Sequence, residues 1–489
     1  MSFYVTTPIY YVNAQPHLGH AYTSIAADVL ARHHRRRGDD TFFLTGTDEH
    51  GEPVADAAHA QGVEPREWAD INAAKFKALL PEIDVHPDFF IRTTDPEHKA
   101  KVQEVMQRIY DNGYVYKGMY EGWYCPRCAD FKTESEILDG NLCPIHEIKL
   151  TREQEENWFF KLSEFQERIE QLFSGQPDFI RPARAMNEAQ AFVAQGLQDV
   201  SLSRGKLTWG VTVPWDPTHV FYVWFDALLN YYTALSYARP GADLTDRYWP
   251  AQVHLIGKEI LKFHTIYWPA MLWAADLPIP EHVFVHGFLQ GSDGRKMSKS
   301  LGNGLDPFEV IEQFGVDALR FYLFRDVTFG GDGNVGMEAV AGRYDAELAN
   351  DYGNLASRTL AMISRYREGI VPAAAMDPAL APEFEGLDAE VAAAMDAIDL
   401  TGALDLIWQR VRRLNRYVEE QKPWELARDE AAAERLSTVL ASLHHGLRAV
   451  TVELTPYIPE SSATVLHALD AEPLEPIPPL FPKRDKLPA

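Results

Sequence analysis

Five short runs rich in β-branched and aromatic residues, at 3–7, 41–45, 89–92, 253–256 and 283–286, alternate with segments of helical period. After the loop through Asn13 and Pro16, for example, Leu18, Ala21, Ile25 and Val29 recur on one helical face. Strands that alternate with helices predict an α/β fold built on a parallel, doubly wound sheet. From about 116 to 220 the alternation lapses into turn-rich sequence, then resumes at 253. The sheet is therefore expected to be interrupted by an insertion. Beyond about 347 the chain reads as an all-α helical bundle, with Leu404, Ile407, Val411, Leu414 and Val418 on one face. Residues 369–386, with Pro372, Pro378 and Pro382, read as a connection inside that bundle, and 473–489 as an extended tail. At 489 residues the chain has room for about three domains.

Hydrophobic residues make up 46% and charged residues 24%, enough apolar surface for a core and no signature of disorder. The formal net charge of −25 favours solubility and argues against a nucleic-acid coat protein. Two local basic clusters stand out against it: Arg32, Arg35, Arg36 and Arg37, then Arg410, Arg412, Arg413 and Arg416. Each taken alone reads as a solvated helix face. No run approaches the roughly 18 apolar residues of a membrane span, and the N-terminus has no basic region followed by an apolar one, so a cytoplasmic location is expected.

Three motifs carry chemistry. Pro16-His17-Leu18-Gly19-His20 lies where a strand-to-helix loop delivers backbone N–H groups and the positive end of the helix dipole to an anion. His17 and His20 can donate to phosphate oxygens from one face, and Gly19 lets a nucleotide approach the backbone. Lys296-Met297-Ser298-Lys299-Ser300, flanked by Gly291, Gly294, Gly302 and Gly304, reads as a mobile loop whose two ammonium groups can close on a triphosphate. Cys125-x2-Cys128-x14-Cys143-x2-His146 uses every cysteine in the chain and supplies two close pairs of soft ligands. Four protein ligands leave no open position, so one structural zinc ion is expected; iron fits the ligand set nearly as well.

The pairing of His17/His20 with Lys296/Lys299 resembles the two signatures of the class I aminoacyl-tRNA synthetases. The resemblance narrows to the methionyl-tRNA synthetases through TPIYYVNAQPHLGHAYT, FLTGTDEHG, CPRC, FYVWFDALLNYY, HLIGKEILKFHTIYWPAML, VHGFLQGSDGRKMSKSLGN, NDYGNLASR and QKPWELA, in the family's order. It implies ATP-dependent activation of L-methionine to methionyl-adenylate, with magnesium accompanying ATP, and transfer to the terminal adenosine of tRNA(Met), initiator tRNA included. It further implies that His17, His20, Lys296 and Lys299 are catalytic, and that Gly19 and Ser300 join them in binding ATP. Methionine would be held by Ile9, Tyr11, Asp48, Trp224, Ala227, Leu228, Tyr231, Ile260 and His264, and the anticodon by Asn354, Arg358 and Trp424. The implied layout is a Rossmann-type catalytic domain in two halves, 1–115 and 220–290, around a zinc-knuckle insertion at 116–219. A signature-loop and stem-contact region at 291–347, an anticodon-binding bundle at 348–478 and a tail at 479–489 would follow.

The chain departs from many members of this family in two ways. It ends soon after Leu480-Phe481-Pro482, without the additional C-terminal domain, so a monomer is expected; and it carries ligands for one metal knuckle. A small-molecule nucleotidyltransferase would share the sheet and the first motif but leave the insertion and bundle without purpose. A catalytically silent zinc-dependent RNA-binding protein would have no use for both histidines and both lysines.

Overall fold

The computed structural model describes residues 2–13, 15–127, 130–132, 134, 136–297 and 303–482. The chain divides into two compact units, Met1–Ala27 with Gly38–His286, and Asp28–Arg37 with Gly287–Ala489. The first is built on β1 (Ser2–Tyr11), β2 (Asp40–Asp48), β3 (Phe89–Arg92), β4 (Val115–Cys125), β5 (Asp130–Lys132), β6 (Thr151–Phe160), β7 (Ile180–Arg181), β8 (Val200–Ser201), β9 (Ser203–Arg204), β10 (Val220–Phe221), β11 (Val253–Gly257) and β12 (His282–His286). Six of these form one parallel sheet in the order β3-β2-β1-β11-β12-β7. The five expected strands are all present. β7 was not expected: it is two residues long and joins at the edge beyond β12.

Helices on both faces keep these strands dry, which explains why β2 is buried along almost its whole length rather than alternately. Tyr4, Phe42, Leu44, Ile91 and Ile256 from the sheet pack with Val102, Val105, Trp268 and Met271 from the helices in a single core cluster. The winding reverses between β1 and β11. In open α/β sheets the crevice outside the carboxyl ends of such strands is where ligands bind. Here those ends are Tyr11 and Gly257.

The insertion is more regular than its turn-rich sequence suggested. β4 and β6 form a long antiparallel ladder from Val115↔Phe160 to Tyr124↔Thr151, extended by β5 and β8 into a four-stranded sheet. Helices Gln166–Gly175 and Ala183–Val193 follow.

The second unit is mainly helical. Leu400–Gln421 buries the predicted face, Leu404, Ile407, Val411, Leu414 and Val418, and packs on Ala433–Leu454. Both basic clusters are in part the solvated faces expected, with Arg36, Arg37, Arg412 and Arg416 exposed, but several of their members also carry acidic partners. Arg36 forms a bidentate pair with Glu453, Arg410 pairs with Glu390, Arg412 with Glu347 and Arg413 with Glu383. Their charge is largely spent inside the unit. The tail also differs, for Leu474 donates its N–H to the Gly369 carbonyl, and Leu474 and Phe481 are buried. Among the described residues no helix is long and apolar enough to cross a membrane.

Candidate active site

Helix α1 (Leu18–Arg36) starts directly after the loop that leaves β1, and its first turn carries the first motif. The backbone N–H of His17 donates to Nδ1 of His20 at 3.0 Å, and the N–H of Gly19 donates to Nδ1 of His17 at 3.1 Å. An imidazole nitrogen that accepts cannot carry a proton, so in this arrangement the ring proton of each histidine resides on Nε2. The two rings lie 3.8 Å apart, too close for two imidazolium ions to be comfortable. Burial, with His17 adding to it, lowers the His20 pKa well below the ordinary histidine value. Tyr10 and Phe76 meet the His20 ring edge-on at 4.8 and 5.0 Å. A Cβ at Gly19 would crowd the His17 ring at 3.0 Å.

One strand over, β2 ends at Asp48, in register with Tyr11 of β1. A register shift between Thr6 and Ile9 re-aims the end of β1, as bulges beside functional sites do. Asp48 is only 4% exposed, and among the described residues its Oδ1 has no hydrogen-bond partner. Burial raises its pKa well above the carboxylate range, and the charge of Asp226 adds to this, while the backbone N–H of His50 works in the other direction. The next two residues of the turn are satisfied. Glu49 accepts from Arg92 at 2.6 and 2.8 Å and from Thr47 at 2.7 Å, and His50 is bound to Asp226. The turn is closed by Gly51 at φ 95°, where a Cβ would fall 2.5 Å from the Tyr11 hydroxyl and 3.3 Å from Val223.

The residues expected to hold methionine all lie in the same unit. Ile9, Tyr11, Trp224 and Ile260 pack on the core cluster that includes Leu228 and Tyr231, and Ala227 is buried on the same short helix as Trp224. Trp224 stacks on Phe263, centroids 3.8 Å apart and planes 7° from parallel. Beyond β11 the chain enters a π-helical stretch, Phe263–Tyr267, that carries His264. Wider helical turns of this kind are frequent at functional sites. His264 Nδ1 donates to the Ile260 carbonyl at 3.0 Å, and its Nε2 accepts from the Tyr231 hydroxyl at 2.7 Å. Burial lowers the His264 pKa to about 4. The result is a group of packed aromatic side chains with a neutral polar member and one buried carboxylate, the chemistry that suits a polarizable apolar side chain attached to an ammonium.

Cys125 and Cys143 are buried, and both sulfurs lie 3.9 Å from Nδ1 of His146, with all three ligand atoms within 4.8 Å of one another. Neighbouring ligand atoms of a tetrahedral zinc site stand about 3.6–3.8 Å apart, given the usual metal–ligand lengths, so the set needs only a small contraction to take one such ion. The fourth expected ligand, Cys128, lies outside the described residues. A tight turn aims the donors: Cys143 donates its N–H to the Ile148 carbonyl, and Glu147 donates to the Cys143 carbonyl.

The second unit holds the remaining candidates. Lys296 is exposed at the end of a hairpin where Gly291 donates to the Arg295 carbonyl and Asp293 accepts from the Arg295 N–H and from Asn303. Lys299 and Ser300 lie outside the described residues. In the bundle, the Arg358 guanidinium lies 5.6 Å from the centre of the Trp424 ring and donates to Glu419 at 3.0 Å. Asn354 is exposed one helical turn before Arg358, on the same face.

Sequence reasoning missed several residues at the site. Phe263, Phe76 and Trp209 are among them; the Trp209 indole donates to the Glu49 carbonyl at 2.6 Å. His50 and Asp226 lie inside motifs that had been noticed for other residues, whereas His98 has no local signal.

The family model described as tRNA synthetases class I (M) matches residues 3–152 and 138–360. The methionine–tRNA ligase of Streptomyces coelicolor is 46% identical, over 96% of this chain and 90% of that one. Among solved structures, Mycobacterium tuberculosis methionyl-tRNA synthetase in complex with methionyl-adenylate superposes with a TM-score of 0.94 at 39% identity, covering 99% of this chain and 100% of the other. The apo form from the same organism gives 0.87 at 35% identity, covering 99% of each chain. With the paired histidines at the start of α1 and the buried carboxylate at the end of β2, these likenesses place the chain in the methionine–tRNA ligase family of the class I tRNA synthetases.

Proposed function

We propose that this methionine–tRNA ligase activates L-methionine with ATP in the crevice at the ends of β1, β2 and β11, and then passes the methionyl group to tRNA(Met), initiator tRNA included. The observation that carries the reading is Asp48, a buried carboxylate with an unsatisfied oxygen at the C-terminal end of β2, in register with Tyr11 of β1. An unpaired buried carboxylate is costly, and an α-ammonium offsets that cost. The thioether side chain would then lie among Ile9, Tyr11, Trp224, Ala227, Leu228, Tyr231, Ile260 and His264.

The chemistry asks for no general base. The methionine carboxylate is already anionic, and its oxygen attacks the α-phosphorus as the bond to the pyrophosphate oxygen breaks. Catalysis is therefore positioning plus stabilisation of the departing charge. In this proposal His17 and His20 donate Nε2–H to phosphate oxygens, Gly19 admits the nucleotide to the helix start, and Lys296, Lys299 and Ser300 bind the triphosphate. Magnesium enters with ATP as part of that substrate and shares its charge. Cys125, Cys128, Cys143 and His146 would hold one zinc ion, whose binding energy goes into folding the insertion.

Asn354, Arg358 and Trp424 are assigned to the anticodon, an unpaired base stacking on the indole while the other two hydrogen-bond its edges. The domain borders given above, action as a monomer and a cytoplasmic location belong to the same proposal. The deciding experiment is ATP–pyrophosphate exchange run across the amino acids, followed by charging of tRNA(Met). Exchange stimulated by methionine above all others, with charging that requires the tRNA, is the expected outcome; methionine-independent exchange overturns it.

A further inference from the structure

Asp226 lies on the short helix Val223–Ala227, between the pocket residues Trp224 and Ala227, and it is fully enclosed. Its Oδ2 accepts from Nδ1 of His50 at 2.5 Å and its Oδ1 from Nε2 of His98 at 2.8 Å. His98 comes from the helix Pro96–Asp111, and its Nδ1 meets the Thr233 hydroxyl at 2.7 Å. None of these groups has a part in the chemistry proposed above. Buried ionic clusters add little net stability, since desolvation consumes most of the Coulomb gain. What they do provide is geometry.

That geometry bears on one atom. His50 stands two residues after Asp48 in the same turn, and its carbonyl accepts from the Tyr11 hydroxyl at 3.0 Å. Fixing the His50 ring thus fixes the turn that aims Asp48, and it ties that turn to the helix that carries Trp224 and Ala227. The charges agree. Burial alone would raise the Asp226 carboxyl, but the charge and hydrogen bonds of His50 and His98 outweigh it and hold it at about 2. Glu49 is occupied by Arg92, so Asp48 is the carboxylate left to a ligand cation.

We infer that His50, Asp226 and His98 form a positioning network that aligns Asp48 with the α-ammonium of the amino-acid substrate, without touching that substrate themselves. The inference rests on the reading of Asp48 given above. It is tested by binding two ligands, L-methionine and 4-(methylthio)butanoate, which keeps the side chain and carboxylate but lacks the amino group. Calorimetric titration of the wild-type chain is expected to show a preference for methionine of about tenfold or more. Asp226→Asn and His98→Gln should remove most of that preference by weakening methionine while leaving the des-amino ligand within about twofold, and Thr233→Val should do so in part. Equal weakening of both ligands, or an unchanged preference, overturns the inference. If Asp226→Asn does not fold by circular dichroism, His98→Gln and Thr233→Val decide. Asp48→Asn separates the two ideas. A preference that survives this change removes the role of Asp48; one that vanishes in Asp48→Asn but persists in the network variants removes only the network.

Discussion

Tyr231 donates its hydroxyl proton to Nε2 of His264 across 2.7 Å, because the other ring nitrogen is committed to the Ile260 carbonyl. His264 is therefore a neutral imidazole, its pKa lowered by burial to about 4. A histidine whose folded pKa is depressed gives stability that is complete above the unfolded value near 6.5 and is lost as pH falls through about 4. That shift corresponds to a loss on the order of 3 kcal/mol across the window. His264→Gln is expected to flatten the decline in thermal midpoint between pH 6.5 and 4, read by calorimetry. Parallel curves for the two proteins would contradict a neutral buried ring.

Asp48 gives the opposite trade. Replacing it with Asn should weaken methionine by about 1.5–3 kcal/mol, the worth of a charge-assisted hydrogen bond, seen as a higher KM in pyrophosphate exchange. The same change should stabilise the ligand-free chain at pH 7. A carboxylate with a raised folded pKa destabilises the fold increasingly as pH rises above its unfolded value of about 3.9, so the advantage of Asn should fade toward pH 4. A variant less stable than wild type at pH 7 would sink this account.

Lys299→Ala is expected to lower the rate of adenylate formation by about 10²–10³-fold, the usual loss when one stabiliser of a departing anion is removed, with far less effect on ATP affinity. Rapid-quench measurement of a single turnover separates the two. An unchanged rate of adenylation removes Lys299 from the chemistry.

Trp424→Ala should leave methionine-dependent exchange intact and impair charging of tRNA(Met), since base stacking contributes about 1–3 kcal/mol. The Arg358 guanidinium rests near that ring, so Arg358→Ala and Trp424→Ala should be less than additive. Equal charging by wild type and Trp424→Ala would withdraw the assignment.

The insertion meets the site turn through the hydroxyl of Tyr124, which donates to Glu52 beside Gly51; Tyr124 itself directly precedes the proposed metal ligand Cys125. Removal of the metal by a chelator should loosen the insertion and raise the methionine KM. In Tyr124→Phe the KM should already be raised, and chelation should change it less. Proteolysis of the insertion, followed in parallel, reports the loosening itself. Independent, additive effects on KM would mean the two are not coupled.

Periodicity was enough to foresee the sheet because β1, β2, β11 and β12 are buried runs bounded by turns and helices. It could not foresee β7, whose two residues are too few to show a pattern. The β4–β6 ladder was hidden because its outer portion, with Glu121, Glu153, Glu155 and Glu156, is polar rather than alternating with apolar residues. The paired histidines and the cysteine knuckle were legible because each is written in a few adjacent residues. The bond between His50 and Asp226 joins positions 176 apart in sequence, and the π-helical turn at His264 is a slip in backbone pairing that no side chain announces. The ion pairs of the basic clusters were hidden for a related reason: charge can be counted along the chain, but its partners, such as Glu453 for Arg36, come from elsewhere.

Gly51 has a practical consequence for redesign. At φ 95° and with the Tyr11 hydroxyl 2.5 Å from where a Cβ would stand, this position tolerates no other residue without moving the turn that bears Asp48. Libraries seeking altered amino-acid selectivity should hold 48–51 constant and concentrate diversity on the side chains proposed to hold methionine. Randomising the hinge itself would mostly return inactive clones that say nothing about those side chains.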